Sequence, residues 1–283
     1  MAAASLHIRP SAILQSVAAH GALILYTIIA LFPVFLVVVN SFKERRAIFR
    51  NPYALPYPEI FDPVGYETVF ARANFPNYFL NSIIVTVAAL ILIFIAGTMA
   101  AHALSEYKFP GNAFLGIYLA LGIMIPIRLG TVSILRLVKD IGLIDSLLAL
   151  ILVYSAMGLP LAVFVLSQFM RQIPRDLKDA ARVDGASEYR IYWMILPLIR
   201  PAIGTVLVFN MIPIWNDLWF PLILTPSESV KTVTLGAQIF LGQYVNDWNA
   251  VLASLSLAAI PVVLLYVIFS RQLIQGLTSG AVK

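Results

Sequence analysis

Apolar runs recur along this chain at lengths matched to the thickness of a bilayer. A helix rising about 1.5 Å per residue needs about 20 apolar residues to cross the hydrocarbon core. Six stretches qualify: residues 18–39, 78–104, 109–129, 146–170, 201–224 and 248–270. The second carries no charge between Arg72 and Glu106, and the fifth is interrupted by Pro213, Asp217 and Pro221. Hydrocarbon offers no partner to a backbone N–H or C=O, so runs of this kind are read as helices. The pattern predicts an all-α integral membrane protein of six transmembrane helices, one domain over residues 1–283 with no soluble domain attached.

Between the runs the polar segments differ in character. Ser41 to Asn77 is long and carries Pro52, Pro56, Pro58, Pro63 and Pro76 among aromatics. It reads as an irregular loop at headgroup level with one short helix near Tyr66–Ala71. Glu106 to Asn112 is a short turn, and Pro226 to Asp247 is a second moderately polar loop. No internal repeat or low-complexity tract is present.

The segment 171–198 stands out, charged and small between two greasy spans. Pro174 sits where a helix can start. Leu177, Ala180, Ala181 and Asp184 then fall on one helical face that is small in its middle, with Arg175, Lys178, Asp179 and Arg182 mostly off it. Gly185 stands where a left-handed residue would close that helix. Ser187 can cap a second short helix, which Pro197 and Pro201 are expected to stop short of the fifth span. A rigid helical hairpin projecting from the membrane is the expected product.

Composition agrees: 60% of residues are hydrophobic, 12% are charged, and the mean hydropathy is +0.89. That leaves too little polar surface for a soluble globule of this length. The first apolar run is too long for the core of a signal peptide and is read as a retained helix. There is no cysteine, hence no disulfide or thiolate chemistry. With six spans and both ends on one side, ten Lys and Arg fall on that side and nine on the other, which decides nothing. The net charges of +5 and 0 favour cytoplasmic ends weakly. A pI near 9.5 is ordinary here and is no argument for nucleic acid. His7, His20 and His102 are scattered, and His102 is read as snorkelling or capping at a helix end. No His-Glu-x-x-His helix, paired metal ligands or phosphate-binding Gly-x-x-x-x-Gly-Lys-Ser/Thr loop occurs.

The charged hairpin resembles the signature of membrane subunits of bacterial ABC importers: Glu-Ala-Ala, three residues, Gly, nine residues, Ile, one residue, Leu-Pro. Here it reads Asp179-Ala180-Ala181, Gly185, Ile195 and Leu196-Pro197. Asp replaces Glu, and Leu-Pro follows Ile195 one residue early. Ser41-Phe42-Lys43, Asn81-Ser82, Ala103-Leu104-Ser105 with Phe109-Pro110-Gly111, Trp215-Asn216-Asp217 and the closing Gly276 to Lys283 look like the carbohydrate branch. Within it the chain is similar to the second permease subunit of maltose-type importers.

The resemblance implies the type I ABC importer permease fold in a bacterial cytoplasmic (inner) membrane. It implies a cytoplasmic coupling hairpin at 171–198 that seats in an ATPase subunit through Asp179, Ala180, Ala181, Gly185, Glu188, Leu196 and Pro197. It also implies a cytoplasmic tail, 271–283, whose Gln275, Gly276, Leu277, Thr278 and Ser279 enter the ATPase dimer interface. The partners would be a second homologous permease, two ATPase subunits that bind ATP and Mg, an extracytoplasmic sugar-binding protein and membrane lipid, with no nucleic acid. This chain would hold no cofactor or metal and would not itself be an enzyme. A charge at the bilayer centre costs about 2.5–3.5 kcal/mol, so Asp217 must face protein or water. With Asn210, Trp215, Asn216 and Trp219 it forms a possible substrate path, aromatic faces and polar groups suiting a sugar. Equally, Trp215-Asn216-Asp217 can brace helix packing. The alternative class, an ion-coupled secondary transporter, would need facing acidic or His residues that Asp217 alone does not supply.

Overall fold

The computed structural model describes residues 10–242 and 246–279. Thirteen α-helices are assigned among them and no strand beyond two isolated bridges. In chain order they are α1 Pro10–Asn40, α2 Arg45–Arg50, α3 Val64–Arg72, α4 Phe75–Glu106, α5 Asn112–Met124, α6 Thr131–Asp140 and α7 Leu147–Arg171. There follow α8 Arg175–Val183, α9 Glu188–Ile195, α10 Arg200–Asn216, α11 Trp219–Leu224, α12 Val233–Ala237 and α13 Trp248–Ser279. Two compact units arise: one takes the chain to Val69 with Phe240–Ser256, the other Phe70–Ile239 and the chain from Leu257 on.

In the first unit the proline-rich loop is irregular yet pinned. Lys43 is fully buried and its ammonium donates to Asn40 Oδ1 (3.0 Å), Asn51 O (3.0 Å) and Pro52 O (3.3 Å). Three neutral acceptors stand in for water, and burial pulls the Lys43 pKa below its ordinary value. Asn249 donates to the Lys43 carbonyl at 2.6 Å, and the Ser41 and Tyr66 hydroxyls lie 2.7 Å apart. The helix expected near Tyr66 is α3, slightly longer than its pattern, while α2 had no periodic signal in six residues.

The second unit is built around α4 lying along α7, with α5 against α7 and α10 against both α4 and α7. Ala89, Ile93, Gly97 and Ala101 recur every fourth residue on α4 and are buried, facing Ala162, Val163 and Leu166 of α7. Small residues let the backbones approach closely, the usual basis of helix pairing in lipid. A Cβ on Gly97 would stand 3.0 Å from the Ala162 Cβ. One on Gly158 of α7 would collide with both Asn210 of α10 and Ile93 of α4, so three helices converge where there is no side chain.

Among the described residues four helices are long and apolar enough to cross a membrane, or five if one bent pair is a single span. That pair corrects the third expected run, 109–129. α5 stops at Met124 and the chain turns by 92° through a 3-10 turn into α6. The cause is Pro126, which forces Ile125 into extended backbone (φ −79°, ψ 121°). The fifth run also divides: α10 ends at Asn216, Asp217 is extended, and α11 follows. In the sixth, α13 runs from Trp248 through Pro261 and beyond residue 270 to Ser279. The expected tail 271–283 is therefore helical as far as Ser279; the side chains of Gln275 to Ser279, and residues 280–283 entirely, lie outside the described residues.

The expected stop at Pro197 and Pro201 does not occur. α9 passes through a 3-10 turn, Leu196–Ile199, directly into α10. Each proline stands in a first turn, where its missing N–H would have had no partner anyway.

Candidate functional site

The hairpin forms as its local chemistry dictates. α8 starts after Pro174 and closes on Gly185 at φ +77°, a conformation that costs a side chain about 1–2 kcal/mol. The Gly185 N–H donates to Arg182 O (3.0 Å) and the Ala186 N–H to Ala181 O (2.9 Å), the paired bonds of a Schellman stop. Ser187 then caps α9, its hydroxyl accepting from the Arg190 N–H at 3.3 Å. Leu196 is buried under the hairpin and Pro197 is exposed.

One face of α8 is turned inward by charge. Glu106, the last residue of α4, accepts from Lys178 Nζ at 2.5 Å and from Arg182 Nη2 at 2.9 Å. Arg182 also donates to Asp179 Oδ1 (2.8 Å) and Glu188 Oε1 (2.9 Å), and Glu188 accepts from the Tyr107 hydroxyl (2.9 Å). Two cations and three carboxylates thus join α4, α8 and α9. Burial works against the charge on Glu106, but the hydrogen bonds from Lys178 and Arg182 outweigh it and hold the carboxyl below the ordinary glutamate value. Arg182 holds Glu188 low in the same way, and its own pKa is raised by Glu188, Glu106 and Asp179.

The opposite face is open. Leu177, Ala180 and Asp184 are exposed with Ala181 half-buried, and Val183 is 88% exposed beside the exposed Tyr189 and Trp193 of α9. These exposed apolar side chains thus stand on a stiff capped hairpin. Asp179 is 64% exposed on its edge. His102 is not snorkelling: it is buried, edge-on to Tyr107 and Tyr192, with neither ring nitrogen hydrogen-bonded.

A second feature lies among α5, α7, α10 and α11, a cleft of about 810 Å³ that includes Arg128, Tyr154, Asn210, Asn216 and Asp217 in its lining. Asp217 accepts from the Tyr154 hydroxyl (2.8 Å) and from the Phe220 (3.0 Å) and Trp219 (3.3 Å) N–H groups. It starts α11 and ties it to α7. Trp215 is buried, edge-on to Phe79, with its indole N–H on Ala258 O at 3.0 Å. Trp219 donates to Thr131 Oγ1 at 3.0 Å beneath the Arg128 guanidinium. Asn210 and Asn216 each return one amide N–H to their own helix; Asn216 is exposed in the cleft, whereas Asn210 is buried with its Oδ1 against Gly158 of α7. Among the described residues no cluster of His, Asp and Glu is placed to hold a metal ion.

Residues 93–278 match the family described as the binding-protein-dependent transport system inner membrane component. The chain belongs to this family. It is 33% identical to the diacetylchitobiose uptake system permease protein NgcG of Streptomyces coelicolor, over 93% of this chain and 88% of that one. It is 32% identical to the probable starch degradation products transport system permease protein AmyC of Thermoanaerobacterium thermosulfurigenes, over 92% and 94%. A solved bacterial ABC transporter involved in the import of the acidic polysaccharide alginate superposes with a TM-score of 0.77 at 21% identity, covering 94% of this chain and 99% of that one. The fold is that of a type I importer permease, in the inner membrane. Membership of a binding-protein-dependent family sets aside the ion-coupled alternative.

In this permease the residues singled out from the sequence fall in two places. Asp179, Ala180, Ala181, Gly185 and Glu188 come together at the hairpin, with Leu196 and Pro197 on the turn behind it. Asn210, Asn216 and Asp217 line the cleft, whereas Trp215 and Trp219 bond to neighbouring elements beside it. Glu106, Tyr107, Lys178 and Arg182 had no assigned role. One clue stood in the sequence without naming the partners: Glu106 is the first charge after an uncharged span, and such a carboxylate at a helix end needs a cation.

Proposed function

We propose that this permease is one of two related membrane subunits of an ATP-driven sugar importer. It would receive a sugar or sugar derivative from an extracytoplasmic binding protein and pass it to the cytoplasm. Two partner ATPases would bind ATP and Mg and deliver their closure through the hairpin. The observation that carries this reading is the hairpin itself: an open face of Leu177, Ala180 and Val183 on one side, and on the other a charge network to α4 and an unbroken continuation into α10. A displacement of α8 would be handed to two long helices at once. The sugar class comes from the transporters named above, and the cleft lined by Asn210, Asn216 and Asp217 is the candidate path across this subunit. Residues 275–279 are proposed as a second contact with the ATPase pair.

Co-purification in mild detergent with the ATPase, second permease and binding protein encoded beside this chain tests the reading. ATPase activity stimulated by sugar-loaded binding protein is the expected result, and the stimulating sugar names the substrate. A stable chain that never associates with an ATPase under these conditions would overturn it.

A further inference from the structure

We propose that this permease carries a specific binding site for an anionic phospholipid, headgroup and acyl chain together, between the α4–α5 turn, the entry to α8 and the groove between α5 and α7. Two cavities meet there. The first, about 970 Å³, lies beneath residues 104–114 and is lined by Lys108, Arg171, Arg175 and Lys178. Of its four cations Lys178 is satisfied by Glu106, the one acidic residue in the lining. Lys108, Arg171 and Arg175 form no ion pair among the described residues, so the cavity holds three uncompensated positive charges. Arg171 leans across it, one guanidinium N–H directed at Leu104 O at 3.4 Å.

The second cavity, about 450 Å³, shares Leu104, Asn112, Ala113 and Arg171 with the first and continues between α5 and α7 along Gly116, Ala120, Val163 and Phe164. No residue of α5 is buried, and a Cβ on Gly116 would meet nothing within 4 Å. A cationic basin opening into an apolar groove between two helices matches one class of molecule in a bacterial membrane: a phosphate headgroup on an acyl chain. A soluble phosphate would use the basin and leave the groove empty. The site adjoins the first residue of α8, so its occupant would steady the base of the hairpin. The inference depends neither on the sugar nor on the ATPases.

Native mass spectrometry of the full chain from mild detergent, titrated with dioleoyl phosphatidylglycerol against chain-matched phosphatidylcholine, tests it. Retention of phosphatidylglycerol over phosphatidylcholine is expected. Each charge removed should weaken binding about fivefold, so K108Q/R171Q/R175Q together should weaken it roughly 100-fold. R136Q/K139Q on α6 should change nothing. Gly116→Leu should weaken phosphatidylglycerol with all three cations intact. If the triple variant does not fold, Lys108→Gln alone, on an exposed turn, should show its own fivefold loss. Three results would each overturn the proposal: equal retention in wild type and triple variant, displacement of the lipid by millimolar inorganic phosphate, or loss of the bound lipid when the partner subunits assemble.

Discussion

Glu106 and Lys178 meet at 2.5 Å although 72 residues separate them in the chain, and their side chains are only 11% and 5% exposed. A shielded ammonium deprived of its carboxylate is the costly case, about 3–5 kcal/mol when one partner of a buried pair is removed. Glu106→Gln should therefore destabilise the hairpin by roughly 3 kcal/mol, while Asp179→Asn, at an exposed pair, should cost under about 1 kcal/mol. Hydrogen exchange across α8 measures the difference. Equal effects from the two variants would show that the network does not hold the hairpin.

The same network sets an acid limit. Glu106 and Glu188 both titrate below the ordinary glutamate value in the folded chain, so their contribution is complete above about pH 5 and is lost as pH falls through the lowered values. Fluorescence of Trp193, with the other three tryptophans replaced by phenylalanine, should stay constant from neutrality to about pH 5 and change only in more acid solution. A transition centred well above pH 5 would show that these two carboxylates do not set the limit.

Gly185→Val places a β-branched side chain at φ +77° and should unseat the α8–α9 turn. The expected phenotype is a chain that inserts and assembles, hydrolyses ATP at the basal rate and does not transport. Unimpaired sugar uptake in this variant would remove the case for the hairpin as the coupling element.

Asp217 and Asn216 should separate by phenotype. Asp217→Ala orphans the buried Tyr154 hydroxyl and the Phe220 N–H, at about 1–3 kcal/mol for each buried group, and should lower the melting temperature. Asn216→Ala removes a side chain bonded only within its own helix and exposed in the cleft, so stability should hold while the KM for transport rises. The reverse assignment would make Asp217 the substrate ligand and Asn216 the brace.

Topology can be read directly, because the chain has no cysteine to remove first. A single Tyr53→Cys, 71% exposed in the loop after α1, should react with an impermeant maleimide added to intact spheroplasts. Labelling only in inverted vesicles would turn the protein over and place the hairpin outside the cell.

What the sequence revealed depended on range. The Gly185 stop and the Ser187 cap were legible because each is decided within a few residues. The Glu106 network was not, since its partners become neighbours only once α4 and α8 are in place. Apolarity persists through Pro126, so hydropathy alone runs straight past the 92° turn that the proline imposes. The reverse held at Pro197 and Pro201, where prolines that look like breaks sit in first turns and break nothing. For Asp217 the cost of a charge within a span predicted that it would be satisfied, but only the fold shows Tyr154 and the start of α11 satisfying it.

Gly158 gives the second unit a fulcrum. Ile93 of α4 and Asn210 of α10 pack straight onto the α7 backbone there, which makes that point a pivot for α7 between its two neighbours. From it, α7 extends about 20 Å to Arg171 at the hairpin end and about 17 Å to Leu147 at the other. With arms so nearly equal, a shift imposed at the hairpin reappears at the Leu147 end at similar size and opposite sense, and at Tyr154, much nearer the pivot, at about a third of that size. Pushing α7 inward beside the hairpin is, in this geometry, the same motion as prising it outward at its far end.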